Sequence, residues 1–317
     1  MTLRQFLAAI TPPIVIVAAR MLVRRANTAP PDNGRVRIRY GTFFLECDSS
    51  HHLPRILAHL PDFGRPLADI VLALNVHEPH VIDVGANIGD TALLLARFAP
   101  GAKVLCIDGD PHFIPDLKLN TSQITGVTIA QAILSDRSSE TRGRFFSHVN
   151  HGGTSTLALD EAGELLQTQT LDDLLRDYPE FSAPHVIKID TDGFDPAILR
   201  GAKGVLASAR PVAFYEWDPY SYTISGENDF SHADFLMDLG YDHFLIFTNE
   251  GQPLLRVRRP GHDVWESLGR FSLRRRSIDG WHYDIAAFPS ERPDICERLW
   301  RQYSGSDLSA AVPSRAS

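Results

Sequence analysis

The amino-acid sequence predicts an α/β fold, a doubly wound, mainly parallel sheet with helices on both faces, and three observations predict it. Strand-like apolar runs, "HVIDVG", "KVLCIDGD", "GVTIAQAIL", "HVIKID" and "PVAFYEW", alternate with helical stretches through the middle of the chain. That is the pattern of parallel strands joined by crossover helices. The first run passes into a glycine-bearing turn, "VGANIGD", that opens a helix. The second ends in an acid, Asp108, at the carboxyl edge where such sheets hold their ligands.

The elements follow in order. "MTLRQFLAAITPPIVIVAARMLVRR" sets an apolar run between Arg4 and Arg20, with Arg24 and Arg25 behind it and no acid before Asp32. A spanning helix needs about 20 continuous apolar residues, and Pro12 and Pro13 interrupt this shorter run. A signal peptide would close on small residues, whereas here Met21, Leu22 and Val23 continue between arginines. Residues 1–32 are therefore read as an N-terminal extension with three open roles: a helix packed on the protein, an interfacial anchor or a targeting sequence. "RVRIRYGTFFLEC" reads as a β-hairpin and "LADIVLALNV" as a helix. Between the strands, "DTALLLARFA", "PDLKLNTSQ" and "PAILRGAKGVLASA" carry helical spacing. Beyond Trp217, "SHADFLMDLG" is a helix, Asn249 to Gln252 turn between two apolar runs, and "WHYDIAAF" is a closing strand. Residues 33–303 form the main domain, and the serine- and alanine-rich 304–317 is expected to be a disordered tail.

Composition narrows the function classes. The 317 residues are 44% hydrophobic, enough for a substantial core. A net charge of −8 makes the average surface repel polyanions, so nucleic acid is not an expected partner. Cys47, Cys106 and Cys296 lie far apart without a C-x-x-C pair, which suits buried thiols in a reducing compartment. A cytoplasmic protein is expected, peripheral to the inner face of the membrane if the extension is an anchor.

The turn after the first strand indicates the ligand. A dinucleotide fingerprint counted from Gly85 would need glycine where Asn87 and Asp90 stand, and a P-loop would need glycine and lysine where Asp90 and Thr91 stand. Asp83 and Asp90 would also oppose a pyrophosphate. A cationic or zwitterionic ligand fits better. S-adenosyl-L-methionine carries a sulfonium and an ammonium group, and Asp108 is placed to accept hydrogen bonds from ribose hydroxyls. The competing reading gives Gly85 and Gly89 only a role in tight helix–strand packing.

"VIDVGANIGDTALLLAR", "CIDGDPHF", "QTLDDLL" and "VIKIDTDGFDPAILRGAKGVL", in this order, resemble the FkbM-type S-adenosylmethionine-dependent methyltransferases over roughly residues 35 to 290. The resemblance implies a class I methyltransferase fold, Rossmann-like, with a mainly parallel seven-stranded sheet that includes one antiparallel strand. It implies methyl transfer to hydroxyl oxygens of sugars or polyketides. It also implies that Asp83, Gly85, Asn87 and Gly89 form the methionine-side loop, that Asp108 holds the ribose, and that Ala132 to Asp136 lie near the adenine. Two motifs depart from the family pattern. Asp108 and Gly109 replace a usual glutamate–proline, and Asp192 and Asp195 replace the two glutamates of D-x-E-G-x-E, each acid shorter by one methylene.

Lys188, Asp190 and Asp192 alternate at the end of the fourth strand of the core and are expected to share a face near the transferred methyl. They form the candidate catalytic set. Asp190 or Asp192 is read as the base, with the cofactor's ammonium group as the alternative partner for Asp190. Lys188 pairs with one of these acids or touches substrate, and Asp195 is a helix N-terminal charge. Further substrate contacts are considered at His148, Asn150 and His151, at Glu216, and at Arg274, Arg275 and Arg276, for which a solvated charge run is the competing reading. No tight ligand spacing indicates a metal. The resulting expectation is an S-adenosyl-L-methionine-dependent O-methyltransferase acting on a small-molecule hydroxyl acceptor, a sugar or other secondary metabolite. The alternatives are a catalytically silent cofactor-binding homologue and a nicotinamide-dependent oxidoreductase. For the extension, co-sedimentation of the full-length protein with anionic liposomes, lost on deleting residues 1–32, is the outcome expected of an anchor. Failure to sediment removes that role.

Overall fold

The computed structural model describes residues 34–147, 153, 155–159, 163–227, 231–279 and 281–305. The N-terminal extension and the tail beyond Gly305 lie outside them, as do His148, Asn150 and His151 and the side chain of Arg276.

The alternating run becomes β1 (Arg35–Tyr40) and β2 (Phe43–Asp48), joined by a two-residue turn in which Gly41 has φ of 67°. Such tight turns need left-handed backbone that glycine adopts without a Cβ penalty. Helices α1 (Leu53–His59) and α2 (Arg65–Ala73) lead to β3 (His80–Val84), α3 (Asp90–Phe98), β4 (Lys103–Asp108), α4 (Ile114–Thr121) and β5 (Val127–Gln131). "GVTIAQAIL" does not form one strand. It breaks at Ala132, whose N–H bonds Asp108 O, and β6 (Ile133–Leu134) joins a second sheet with β7 (Ser139–Ser147), β8 (Ser155–Leu159) and β9 (Glu164–Gln169) in the order β6-β9-β7-β8.

After α5 (Leu171–Leu174) the main sheet resumes with β10 (Val186–Ile189), α6 (Asp195–Gly201), α7 (Lys203–Ser208) and β11 (Val212–Trp217). It closes through α8 (Pro219–Ser225), α9 (Ser231–Asp238), β12 (Tyr241–Thr248), β13 (Pro253–Arg258), α10 (His262–Asp279), β14 (Tyr283–Pro289) and α11 (Pro293–Ser304). The order is β13-β12-β14-β11-β10-β3-β4-β5. Strands β5, β4, β3, β10 and β11 pair in parallel, and β14 runs antiparallel between β11 and β12. The seven strands with one reversed are those expected of a class I methyltransferase. An eighth, β13, is added by the turn at Asn249 to Gln252; it alternates half-buried and exposed residues and starts at Pro253, as suits an edge.

Apolar side chains bury on both faces of the sheet. Val81, Val104, Val186, Val212 and Phe214 face α2, α3 and α11, whereas Ile82, Leu105, Ile187, Ala213 and Tyr215 face α6, α7 and Trp265 of α10. The arginine run lies on α10, where Arg270 pairs with Glu266 at 2.6 Å and Arg275 stacks 5.1 Å from the Trp281 ring centre. Among the described residues no helix is long and apolar enough to cross a membrane.

The hairpin belongs to this core. Asn120 of α4 accepts from Glu46 N at 2.8 Å and donates to Glu46 O at 3.0 Å and to Ile88 O at 2.8 Å, so one buried amide joins hairpin, helix and the turn after β3. Leu45 is fully buried. Leu45→Ala is expected to lower unfolding free energy by about 2–5 kcal/mol in urea titration, as for a buried leucine of any well-packed core.

Candidate active site

The turn after β3 is shaped by contact with β10. Gly85 has φ of 78°, and a Cβ there would stand 1.8 Å from Asp190 O, so no other residue lets the two chain segments approach this closely. Asn87 also takes left-handed backbone, with φ of 47°, and its N–H bonds Asp108 Oδ2 at 2.7 Å. Asp110 N bonds the other oxygen, Oδ1, at 2.9 Å. Both oxygens of Asp108 are thus held by peptide N–H groups and retain lone pairs for a ligand. Burial pushes the Asp108 carboxyl up to about 6 despite these two bonds. Gly89 precedes α3, and a Cβ there would lie 3.0 Å from Leu117 and Thr121 of α4. The packing role considered for the glycines therefore holds at Gly89, whereas Gly85 serves the approach of two strand ends.

Beneath the turn, register sets Asp83 beside Lys188 on adjacent parallel strands. Lys188 Nζ lies 3.0 Å from Asp83 Oδ1 and 3.4 Å from Asp190 Oδ2. Burial pushes the Asp83 carboxyl up and would push the ammonium down. At Lys188 the charges of Asp83 and Asp190 outweigh burial and hold it well above the ordinary lysine value, so the pair is ionic. The alternation of Lys188, Asp190 and Asp192 stops at Asp190, because Asp192 turns left-handed with φ of 52°.

A cavity of about 240 Å³ opens above these elements. Gly85, Asn87, Asp108, Asp190 and Asp192 line it, together with Ala132, Ile133, Leu134 and Ser135 and the apolar Phe113 and Phe194. Asp83, Lys188 and Gly89 do not line it; the first two lie under its floor. Asp136 does not line it either, because it is exposed and pairs with Arg200 at 3.7 Å. Asp195 is fully buried at the start of α6 and accepts from Gly193 N at 3.3 Å. Asp110, not among the expected site residues, is buried and lines the cavity two residues beyond Asp108. Its signal was a second acid in the quoted "CIDGDPHF".

Beyond Asp190 the same edge carries more acid. Glu216 ends β11 opposite Asp284 of β14, and His282 Nε2 lies 3.2 Å from Glu216 Oε1. Burial, then the surrounding acids led by Asp190, push Glu216 well up. Burial and then Asp190 push Asp284 up to about 8. Asp284 lies in β14 and His282 just before it, and only the antiparallel register brings this end of the strand to the carboxyl edge. Among the described residues that line the cavity, Arg137 is the one cation. A carboxylate-rich cavity joined to a glycine turn suits a ligand with positive charge, and the residues present fit S-adenosyl-L-methionine: space over Gly85, a fixed acid at Asp108 and an exposed acid at Asp190.

The family model described as the methyltransferase FkbM domain matches residues 83–243, just over half of the chain. Among solved structures, a methyltransferase FkbM from Methylobacillus flagellatus KT is 15% identical with a TM-score of 0.42, the match covering 67% of this chain and 44% of that chain. The chain thus spans less than half of that protein's length. A precorrin-6y C5,15-methyltransferase from Geobacter metallireducens GS-15 is 15% identical with a TM-score of 0.37, covering 70% of this chain and 87% of that chain. A putative sarcosine dimethylglycine methyltransferase from Galdieria sulphuraria is 12% identical with a TM-score of 0.41, covering 75% of this chain and 88% of that chain. No curated protein matches the sequence.

The raised carboxyls make stability depend on pH. Folded Asp284 keeps a proton that the unfolded chain releases near pH 4, so its contribution falls as pH rises from about 4 to about 8 and then levels. Asp90 and Asp108, both raised to about 6 by burial, act likewise up to about pH 6. The unfolding free energy is expected to decline between pH 6 and 8, with Asp284 contributing a slope of roughly 1 kcal/mol per pH unit. Burial raises Asp195 to about 8 as well, so Asp284→Asn should make the decline shallower without removing it in urea titrations at stepped pH.

Proposed function

The chain belongs to the FkbM methyltransferase family, and from that premise we propose that it moves a methyl group from S-adenosyl-L-methionine to a hydroxyl oxygen of a small acceptor, a sugar or other secondary metabolite. The observation that carries this reading is the acid-lined cavity over the Gly85 turn, with Asp108 fixed on one side and Asp190 half-exposed on the other. When bound, the cofactor supplies a sulfonium-activated methyl group. The protein binds and orients. Asp108 accepts from the ribose hydroxyls, and Asn87 and Gly85 present backbone to the methionine side. The apolar wall of Ile133 and Leu134 covers the adenine.

Asp190 stands at the cavity with its side chain 51% exposed, steadied from below by Lys188. Its carboxylate either holds the cofactor's ammonium group or accepts the acceptor's hydroxyl proton. The second role contributes typically 10² to 10⁴-fold to such a transfer, while orientation alone supplies much of the remainder. Asp192 is the second acid within reach of the same space. Lys188 is a positioning residue in this scheme, because it meets the cavity only through Asp190. Glu216 and Asp284 face each other on β11 and β14 outside the lining of the cavity, so they enter this scheme only as neighbours of Asp190. Nothing in the acidic edge suits a polyanion, so the partner is a small molecule rather than nucleic acid.

Calorimetric titration with S-adenosylhomocysteine, with NADH as control, is the direct test. Micromolar binding of the first alone is expected. Asp108→Ala should weaken it by on the order of 1–3 kcal/mol, the worth of hydrogen bonds to a charged group. Binding of NADH instead, or of neither, overturns the reading. Binding without turnover on a broad panel of hydroxyl acceptors favours a silent homologue, to which the shortened acids at Asp108 and Asp192 would point.

A further inference from the structure

We propose that His51, which lies outside the matched domain, is a positioning residue for the cofactor turn and holds Asn87 so that its peptide N–H stays on Asp108. The proposal rests on the cofactor reading above. Asn87 has left-handed backbone, which asparagine adopts more readily than other side chains, and here its side chain is also fixed. Both ends of its amide are held. Nδ2 donates to Gly153 O at 2.9 Å, and Oδ1 lies 3.3 Å from His51 Nε2. The tautomer of His51 follows from its other nitrogen. Nδ1 accepts from Leu53 N at 3.1 Å, so in the neutral ring the proton sits on Nε2 and is donated to Asn87.

The imidazole is itself clamped. Gly153, with φ of 80°, lies over it so closely that a Cβ would stand 2.1 Å from His51 Cδ2. The charged groups about the ring are Asp48 at the end of β2, Asp116 of α4 and the neighbouring His52. Arg35 already binds Asp116 at 2.6 Å, and Ser50 binds Asp48 at 2.7 Å. Burial, the largest influence, holds the His51 pKa below its ordinary value, which keeps the ring neutral at pH 7 and able to accept from Leu53. His51, the turn after β3 and Gly153 therefore meet at one amide, that of Asn87. Its backbone N–H completes the support of Asp108 at 2.7 Å. Residues before the matched domain thus contribute to cofactor affinity without touching the cofactor.

The two ring nitrogens allow the roles to be separated. A glutamine amide places its N–H near the Nε2 position and can still donate to Asn87. An asparagine carbonyl falls near Nδ1 and can still accept from Leu53. Titration of the full chain with S-adenosylhomocysteine is the assay, with unfolding midpoints measured alongside. His51→Gln is expected to bind within about twofold of the wild type, and His51→Asn to bind roughly three- to tenfold more weakly, the loss of one neutral hydrogen bond. Wild-type affinity in His51→Asn overturns the positioning role. So does equal weakening of both variants with equally lowered midpoints, which marks a structural residue. A wild-type protein that does not bind S-adenosylhomocysteine overturns the cofactor reading and this one with it, whereas a binding wild type with an unaffected His51→Asn overturns this one alone.

Discussion

An ammonium group buried between two carboxylates governs the centre of this fold. Lys188 is 7% exposed and Asp83 is wholly buried, and each would destabilise the interior without the other. Their pairing at 3.0 Å requires β3 and β10 to lie side by side in one register. The same register brings the end of β10 against the turn after β3, where the missing Cβ of Gly85 admits Asp190 O. The third partner of the ammonium, Asp190, is the acid that reaches the cavity. A slip of one residue would turn Lys188 and Asp83 to opposite faces, strand both charges and withdraw Asp190.

The consequence for chemistry is a division of the carboxyl edge. Toward β4, acids are fixed by backbone: Asp108 takes N–H bonds from Asn87 and Asp110, and the cavity wall beside it is the apolar Ile133 and Leu134. Toward β11 and β14, acids meet acids: Asp190, Glu216 and Asp284 occupy successive strands of one edge, and burial with mutual repulsion pushes Glu216 and Asp284 toward their neutral forms. Acids gathered on one edge lower stability where they ionise together, and here Lys188 beside Asp190 and His282 beside Glu216 offset part of that cost.

The N-terminal hairpin is outside the matched domain and yet structurally continuous with it. Asn120 bridges Glu46 and Ile88, and His51 reaches Asn87, so both sides of the cofactor turn are tied to the hairpin and to α4, which packs beside it. A turn that must remain left-handed at Gly85, Asn87 and Gly89 gains rigidity from a support that is itself part of the core.

Much of this was legible in the sequence because it is local. Alternating runs yield the strands, the glycines mark where backbone turns left-handed, and Asp108 and Asp190 stand at strand ends where a ligand is reached. The doubly wound sheet, its glycine turn after β3 and the family all follow from such local pattern. Only the tertiary structure decided which acids face the cavity. Asp83 and Lys188 read as site residues, but a neighbouring strand takes both into a buried pair; Asp136 turns outward to Arg200; and His51, His282 and Asp284 arrive from distant segments through hairpin packing and antiparallel register. The reason is physical: a residue's spacing states which face of its own element it occupies, whereas the group it meets there is set by another element's register, which no local pattern encodes.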